Sequence, residues 1–248
     1  MKQGLFTILE QTEVARDVHR MVLEGDTSAI TAPGQFVNIA IEGLYLRRPI
    51  SVCAVDGDRL TLIYKVVGAG TRAMSKMKPR QTLDVLTGLG NGYDLQKSGE
   101  TPLLIGGGVG VPPLYELARR LIAQGKTVSA IIGFNAADEV FYADEFKALG
   151  VEVQVTTVDG SVGVKGFVTD ALKNVPAYSY VYTCGPEPML RAVYGAIQTS
   201  GQFSFEERMG CGFGACMGCS CRTVTGYKRI CREGPVLKKE EILWQTRA

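Results

Sequence analysis

Short apolar runs separated by turn residues fill the chain up to about residue 98, and from Thr101 the rhythm changes to longer alternations of strand and helix. In the first part, Leu5–Gln11, His19–Glu24, Gln35–Ile41, Arg48–Val55, Leu60–Val67 and Thr82–Leu86 are rich in Val, Ile, Leu, Thr and Tyr and are parted by Gly, Asp and Pro. Six such strands predict a small antiparallel β-barrel. One helix interrupts them, Thr71–Met77, opening after Gly68-Ala69-Gly70 and ending before Pro79. A helix that opens from a Gly-rich turn presents free N–H groups to an anion.

In the second part Pro102–Ile105 is continuously apolar and leads through a glycine-rich turn, residues 106–110, into the amphipathic Leu114–Ala123. Strands at Thr127–Phe134, Val151–Thr156 and Tyr180–Thr183 then alternate with helices at Ala143–Leu149, Phe167–Leu172 and Pro188–Gln198. This alternation predicts an α/β unit with a parallel sheet, whose ligands bind beyond the C-terminal ends of the strands. The expected organisation is multidomain: residues 1–98, 99–201 and a small C-terminal unit, 202–248.

Composition narrows the class. The 248 residues are 46% apolar and carry a formal net charge of +2, so no nucleic-acid footprint is visible. The longest apolar stretches are strand-sized and broken by Gly or charge, which argues against a membrane-spanning helix. The start, Met-Lys-Gln-Gly-Leu-Phe, lacks an apolar core of signal length, so the expectation is a cytoplasmic protein.

Cys211, Cys216, Cys219 and Cys231 change the picture most. Their C-x4-C-x2-C spacing with one later Cys is that of the plant-type ligand set for a two-iron, two-sulfur cluster. Gly212, Gly214, Ala215, Gly218 and Ser220 are small enough for backbone N–H groups to turn toward the sulfur atoms. Cys221–Cys231 reads as a hairpin around Thr225-Gly226 that returns the fourth ligand to the other three. Zinc favours two separated close pairs of cysteines and only one is present, while disulfides need an oxidising compartment. Cys53, in an apolar strand, reads as a buried hydrophobe, and Cys221 lies outside the spacing. A two-iron cluster moves single electrons, so the chain is expected to be an electron-transfer protein.

The turn at 106–110 departs from G-x-G-x-x-G, because Pro113 stands where the last Gly would fall. Cys184-Gly185-Pro186-Glu187-Pro188-Met189 follows the last strand of the α/β part and opens its last helix. With Arg48-Pro49-Ile50-Ser51 and Gly68-x-Gly70-Thr71 ahead of them, these segments make the chain resemble the ferredoxin–NADP reductase superfamily. The stretch from Glu207 to Cys219, followed by Cys231-Arg-Glu-Gly-Pro-Val, resembles the electron-transfer subunits of type B dihydroorotate dehydrogenase.

The resemblance implies a barrel that binds FAD, a parallel sheet that takes NAD as co-substrate, and a C-terminal [2Fe-2S] domain. It assigns Arg48 to the flavin diphosphate, Pro49 and Ile50 to the edge of the ring, and Ser51 to its reactive nitrogen. Ile63, Tyr64 and Lys65 would form the next flavin-contacting strand, although an alternating core strand would read identically, and Gly70 and Thr71 would seat phosphate. Gly107, Gly108 and Gly110 would let the dinucleotide approach, with Cys184, Gly185 and Pro186 near the nicotinamide. Arg47 fits a surface charge better than a ligand. Residues 133–138 offer one carboxylate and no cation, which favours NAD over NADP. His19, the only histidine, reads as structural, since hydride and electron transfer need no general acid or base.

The implied partner is an FMN-containing catalytic subunit that oxidises dihydroorotate in pyrimidine biosynthesis, in a heterotetramer of two plus two chains. The alternatives are a reductase subunit of another flavin and iron–sulfur complex, such as a transhydrogenase or a sulfide-linked relative, and a non-catalytic redox sensor.

Overall fold

The computed structural model describes residues 1–244. Strands β1 (Lys2–Ala15), β2 (Val18–Glu24), β3 (Phe36–Ile39), β4 (Arg48–Asp56), β5 (Arg59–Lys65) and β6 (Thr82–Leu89) close into a barrel of order β1-β2-β5-β4-β3-β6. Phe6, Ile8, Met21, Leu23, Val37 and Leu62 help fill its interior, and closure leaves no edge strand. β1 is longer than its apolar run, because its first half pairs with β6 and its second with β2. Helix α1 (Ala69–Ser75) begins two residues earlier than expected. The Thr71 hydroxyl accepts the N–H groups of Val67 and Gly68 at 3.0 and 3.3 Å, pulling the preceding turn into register with the helix.

The α/β part begins with β7 (Pro102–Gly107), buried at every position as a central parallel strand must be. Helix α2 (Pro112–Ala123) opens on two prolines and buries Leu114, Leu117, Ala118 and Leu121, one helical stripe. There follow β8 (Ser129–Phe134), α3 (Ala143–Ala148), β9 (Glu152–Thr157), β10 (Val164–Lys165), β11 (Tyr180–Cys184) and α4 (Glu187–Ala196). The helix expected at Phe167–Leu172 is a 3-10 segment, Val168–Asn174. It buries only Val168 and Ala171, a spacing of three that suits the tighter turn.

The cysteine-bearing part contributes β12 (Gly201–Ser204), β13 (Ser220–Thr223), β14 (Gly226–Arg229) and β15 (Val236–Lys238). β13 and β14 form the expected hairpin, but its two-residue turn is Val224-Thr225, and Gly226 already pairs with Thr223. β12 and β15 both join the α/β sheet, whose order is β10-β9-β8-β7-β11-β12-β15. All its pairs are parallel except the last, β12 with β15. The division drawn at 201/202 therefore falls inside β12, and the cysteines sit on an excursion between two neighbouring strands.

The barrel docks on the sheet through a shared apolar core, in which Val18, Cys53 and Ile63 pack with Leu114, Leu117 and Ala118. Charged braces flank it. Glu116, only 5% exposed, accepts from Arg119 and Arg120, which reach back to Asp56 and to the Thr31 carbonyl of the barrel. Glu139, also buried, accepts from Arg16 at 2.6 Å, Asn135 at 2.8 Å and Lys65 at 3.2 Å. Burial alone would raise the Glu139 pKa, but these donors outweigh it and hold the carboxyl at about 2, against an ordinary 4.5. A group depressed in this way stabilises the fold fully above its unfolded pKa and loses that contribution as the pH falls through its folded one. Glu139→Gln is expected to cost about 1–3 kcal/mol at neutral pH, with the gap to wild type closing as pH falls from 4.5 to 2. Urea titrations across that range test this, and equal stability at neutral pH would remove Glu139 from the interface.

Candidate cofactor sites

The four cysteines of the C-x4-C-x2-C set come together as two pairs. Backbone N–H groups of Ala215 and Cys216 donate to Cys211 Sγ at 3.2 and 3.4 Å, and those of Cys211 and Gly218 donate to Cys216 Sγ at 3.5 Å. The Cys231 N–H donates to Cys219 Sγ at 3.4 Å. Burial raises the Cys211 pKa, but the amides of Cys216, Phe213 and Ala215 outweigh it and bring the thiol to about 6. Among the described residues no three Cys, His, Asp or Glu side chains converge on a point that one ion could occupy. Two thiol pairs suit a two-iron cluster, in which each iron takes two protein ligands, and do not suit one tetrahedral zinc. Cys221 is half-buried outside both pairs.

The cysteine loop is braced from within and from the barrel. Arg229 donates to the Gly214 carbonyl at 2.6 Å and pairs with Glu233. Asn91, just past β6, donates from Nδ2 to the Val236 carbonyl at 2.7 Å and accepts the Val236 N–H at 3.1 Å. At the other end, Asn38 of β3 donates to the Cys211 carbonyl at 3.3 Å.

On the barrel, β3 and β4 set Asn38 opposite Pro49, Val37 opposite Ile50 and Phe36 opposite Ser51. Pro49 is exposed, with Ile50 and Ser51 half-buried beside it. The Arg48 guanidinium lies over Gly70, where an added Cβ would stand 1.9 Å from Nε. Arg48 donates to the Leu46 and Arg47 carbonyls, and among the described residues it has no carboxylate partner. A cation with unspent charge, laid across the first turn of a helix whose second residue has no side chain, is a cradle that fits a diphosphate. Thr71 lies in the same turn, with its hydroxyl committed to Val67 and Gly68.

Arg47, expected at the surface, is instead half-buried and bidentate to Asp84 at 3.1 and 2.9 Å, with a further bond to the Asn38 carbonyl at 3.3 Å. It is flanked by β3 and β6, whose acceptors it satisfies. The β5 residues divide by strand alternation. Tyr64 points into the barrel, its hydroxyl accepting from Gln11 at 2.6 Å and its ring stacked on His19 at 5.8 Å. Ile63 enters the core shared with the sheet and Lys65 reaches Glu139. These three side chains are thus committed to packing and pairing.

β7 and β11 are neighbours, with Cys184 opposite Gly106, so their following loops meet. A Cβ at Gly110 would stand 2.3 Å from the Cys184 carbonyl oxygen and 2.6 Å from Gly185 Cα. One at Gly107 would stand 2.5 Å from Met189 Sδ and 3.4 Å from Pro186. Gly108 faces open space. The two loops therefore interlock into one surface at the C-terminal edge of the sheet, where a dinucleotide fits. Burial pushes the Cys184 thiol up to about 12, so it is no thiolate. Asn38 and Asn91 were not legible as site residues, because each gains its role from a contact distant in sequence, and Met189, though part of the Cys184–Met189 segment, shows its packing on Gly107 only in the fold.

Residues 206–243 match the family described as the iron–sulfur cluster binding domain of dihydroorotate dehydrogenase B, and residues 104–194 match the oxidoreductase NAD-binding domain family. The chain is 44% identical to the dihydroorotate dehydrogenase B (NAD(+)) electron transfer subunit of Shouchella clausii, over 98% of both chains. It is 45% identical to the subunit of the same name from Fusobacterium nucleatum, over 95% of this chain and 96% of that one. Among solved structures, an NADH-dependent reduced ferredoxin–NADP oxidoreductase, studied for flavin-based electron bifurcation, superposes with a TM-score of 0.88 at 29% identity. That match covers 97% of this chain and 90% of the other. A ferredoxin NADP+ reductase from Neisseria gonorrhoeae with bound FAD and NADP shares the fold, with a TM-score of 0.69 at 17% identity over 79% of this chain and 90% of that one.

Serine at Cys211, Cys216, Cys219 or Cys231 is expected to abolish assembly of a stable cluster, while Cys221→Ser keeps it. Iron and acid-labile sulfide analysis of the five reconstituted variants checks this. A cluster-free Cys221→Ser beside a replete Cys216→Ser would move the ligand role.

Proposed function

Because the chain belongs to the family of dihydroorotate dehydrogenase B electron-transfer subunits, we propose that it carries electrons between NAD and a separate dihydroorotate-oxidising subunit in pyrimidine biosynthesis. The observation that carries this assignment is the arrangement of the four thiols as two pairs, on a loop that also touches the strand beside Pro49. When bound, FAD supplies hydride exchange with nicotinamide and the division of its two electrons, and the [2Fe-2S] cluster supplies one-electron passage toward the partner.

The chain's own residues hold and orient. Arg48 offsets the diphosphate charge over Gly70, and Pro49, Ile50 and Ser51 present their backbone and hydroxyl to the ring. Thr71 keeps the turn in place, and Ile63, Tyr64 and Lys65 stiffen the neighbouring strand. Gly108, which faces open space, would give the dinucleotide close approach; Gly107 and Gly110, expected to do the same, instead let the two loops interlock, and Cys184, Gly185 and Pro186 would lie near the nicotinamide. Hydride and electron transfer require no acid or base from the chain, and His19 is stacked on Tyr64. Asp138 is the carboxylate beyond β8 on which the preference for NAD rests, and its pairing with Arg16 at 2.9 Å brings a cation to the same turn and weakens that preference.

We assign the partner as an FMN-carrying catalytic subunit, in a complex of two plus two chains in the cytoplasm; no helix of the described residues is long and apolar enough to cross a membrane. Phe213, Met217, Val224 and Tyr227, 43–74% exposed around the cysteines, are apolar surface fit for its docking. A second assignment, the reductase subunit of an electron-bifurcating complex, has the 0.88 structural match in its favour. The full set of four cysteines and the higher identity to the dihydroorotate relatives favour the first.

Anaerobic NADH titration of the reconstituted chain is expected to bleach the flavin and give a rhombic two-iron EPR signal. Orotate should reoxidise it only when the partner is present. Dihydroorotate oxidation by the chain alone, or bleaching with no cluster signal, would overturn the assignment.

A further inference from the structure

The geometry points to Asn38 as the residue that positions the cysteine loop on the barrel and thereby sets how fast electrons reach the cluster from the flavin side, an inference that rests on the function proposed above. All four residues of β3 are buried, and Phe36, Val37 and Ile39 are apolar. Asn38, 1% exposed, is the one polar side chain of the strand. A buried amide is costly unless it is hydrogen-bonded. Among the described residues this one finds a partner for Nδ2 only in the carbonyl of Cys211, 173 positions away, and Oδ1 has none. Alternation turns it away from the barrel interior that Val37 and Ile39 fill, and a leucine on this outer face would be buried without leaving an orphan acceptor. What the amide adds is the bond to the first thiol-bearing residue.

The loop is shaped to receive that bond. Gly212 has φ of +78°, and a Cβ on it would stand 2.3 Å from Asn38 Nδ2, so the loop backbone lies directly on the amide. The other barrel-side asparagine, Asn91, holds the Glu233–Val236 stretch beyond the last cysteine, and among the described residues its hydrogen bonds reach no thiol-bearing residue. Asn38 itself is fixed on both sides. Its carbonyl accepts from Arg47, and it lies opposite Pro49. It therefore links the strand assigned to the flavin ring with the peptide of the first cluster ligand, and acts through Cys211 as a positioning residue.

Asn38→Leu keeps the bulk and removes the donor without adding a charge, and Asn38→Ala removes the whole amide. In chains matched for FAD, iron and sulfide, rapid mixing with NADH is followed by flavin bleaching and by freeze-quenched EPR of the cluster. In both variants cluster reduction is expected to slow about tenfold or more, the loss typical when a group supporting a metal ligand is removed, with bleaching near the wild-type rate. Hydrogen exchange at residues 210–213 should rise in the cofactor-free chains as well, a readout that survives if a variant holds iron poorly. Wild-type cluster reduction and wild-type exchange in both variants would overturn the role of Asn38 alone. Failure of the wild type to reduce its cluster would overturn the function and this inference with it.

Discussion

The pairing of β15 with β12 decides where the cysteines can be. Gln202, Phe203 and Ser204 face Lys238, Leu237 and Val236 across the sheet edge, and Phe203 and Leu237 are buried in one core with Ile230 and Cys231. Neighbouring strands stand about 4.8 Å apart, so the excursion carrying all four thiols has its two ends pinned side by side. The entropy of closing that loop is met by strand pairing and apolar burial. Within the loop the chain needs only local bonds to sort its sulfur atoms, and the N–H groups of Ala215, Cys216, Gly218 and Cys231 provide them.

Docking of the barrel on the sheet is the second constraint, and it divides between apolar packing and charge. Val18, Cys53 and Ile63 contribute area to a core they share with α2. Burial of that area supplies most of the attraction. Glu116 and Glu139 supply orientation. Each is a buried carboxylate held by two cations, and such groups tolerate only the arrangement that satisfies them. Arg16 and Lys65 come from the barrel and Glu139 from the loop after β8, so a rotation of one unit on the other would strand a buried charge.

Local patterns disclosed the strands of the barrel and the central strands of the sheet, because alternation and unbroken apolar runs are visible without knowing the partners. The edges of the sheet were not legible. β10 is two residues long, and β12 and β15 are short strands whose identity comes from pairing across the whole cysteine excursion. The spacing of Cys211, Cys216, Cys219 and Cys231 disclosed a ligand set, while its division into two pairs depends on how the loop folds back. Arg47 read as a surface charge because nothing local names Asp84, 37 residues on, as its partner. Lys65 likewise has the right strand position for a flavin contact but meets Glu139 from another unit.

A chain whose chemistry resides in its cofactors must control their relative placement, and each candidate site here is assembled from two separate elements. Arg48 of β4 crosses Gly70 of α1. The loop after β7 interlocks with the loop after β11. The cysteine loop meets β3 through Asn38 and the turn after β6 through Asn91. Sites built at such junctions are held to sub-ångström tolerance only when the supporting side chains are themselves locked. Asn38 is locked by burial and Arg48 by its two carbonyl acceptors, whereas Phe213 and Tyr227 remain exposed. The rigid contacts thus lie between cofactor positions inside the chain, and the side chains left free are apolar ones of the cysteine-bearing part itself.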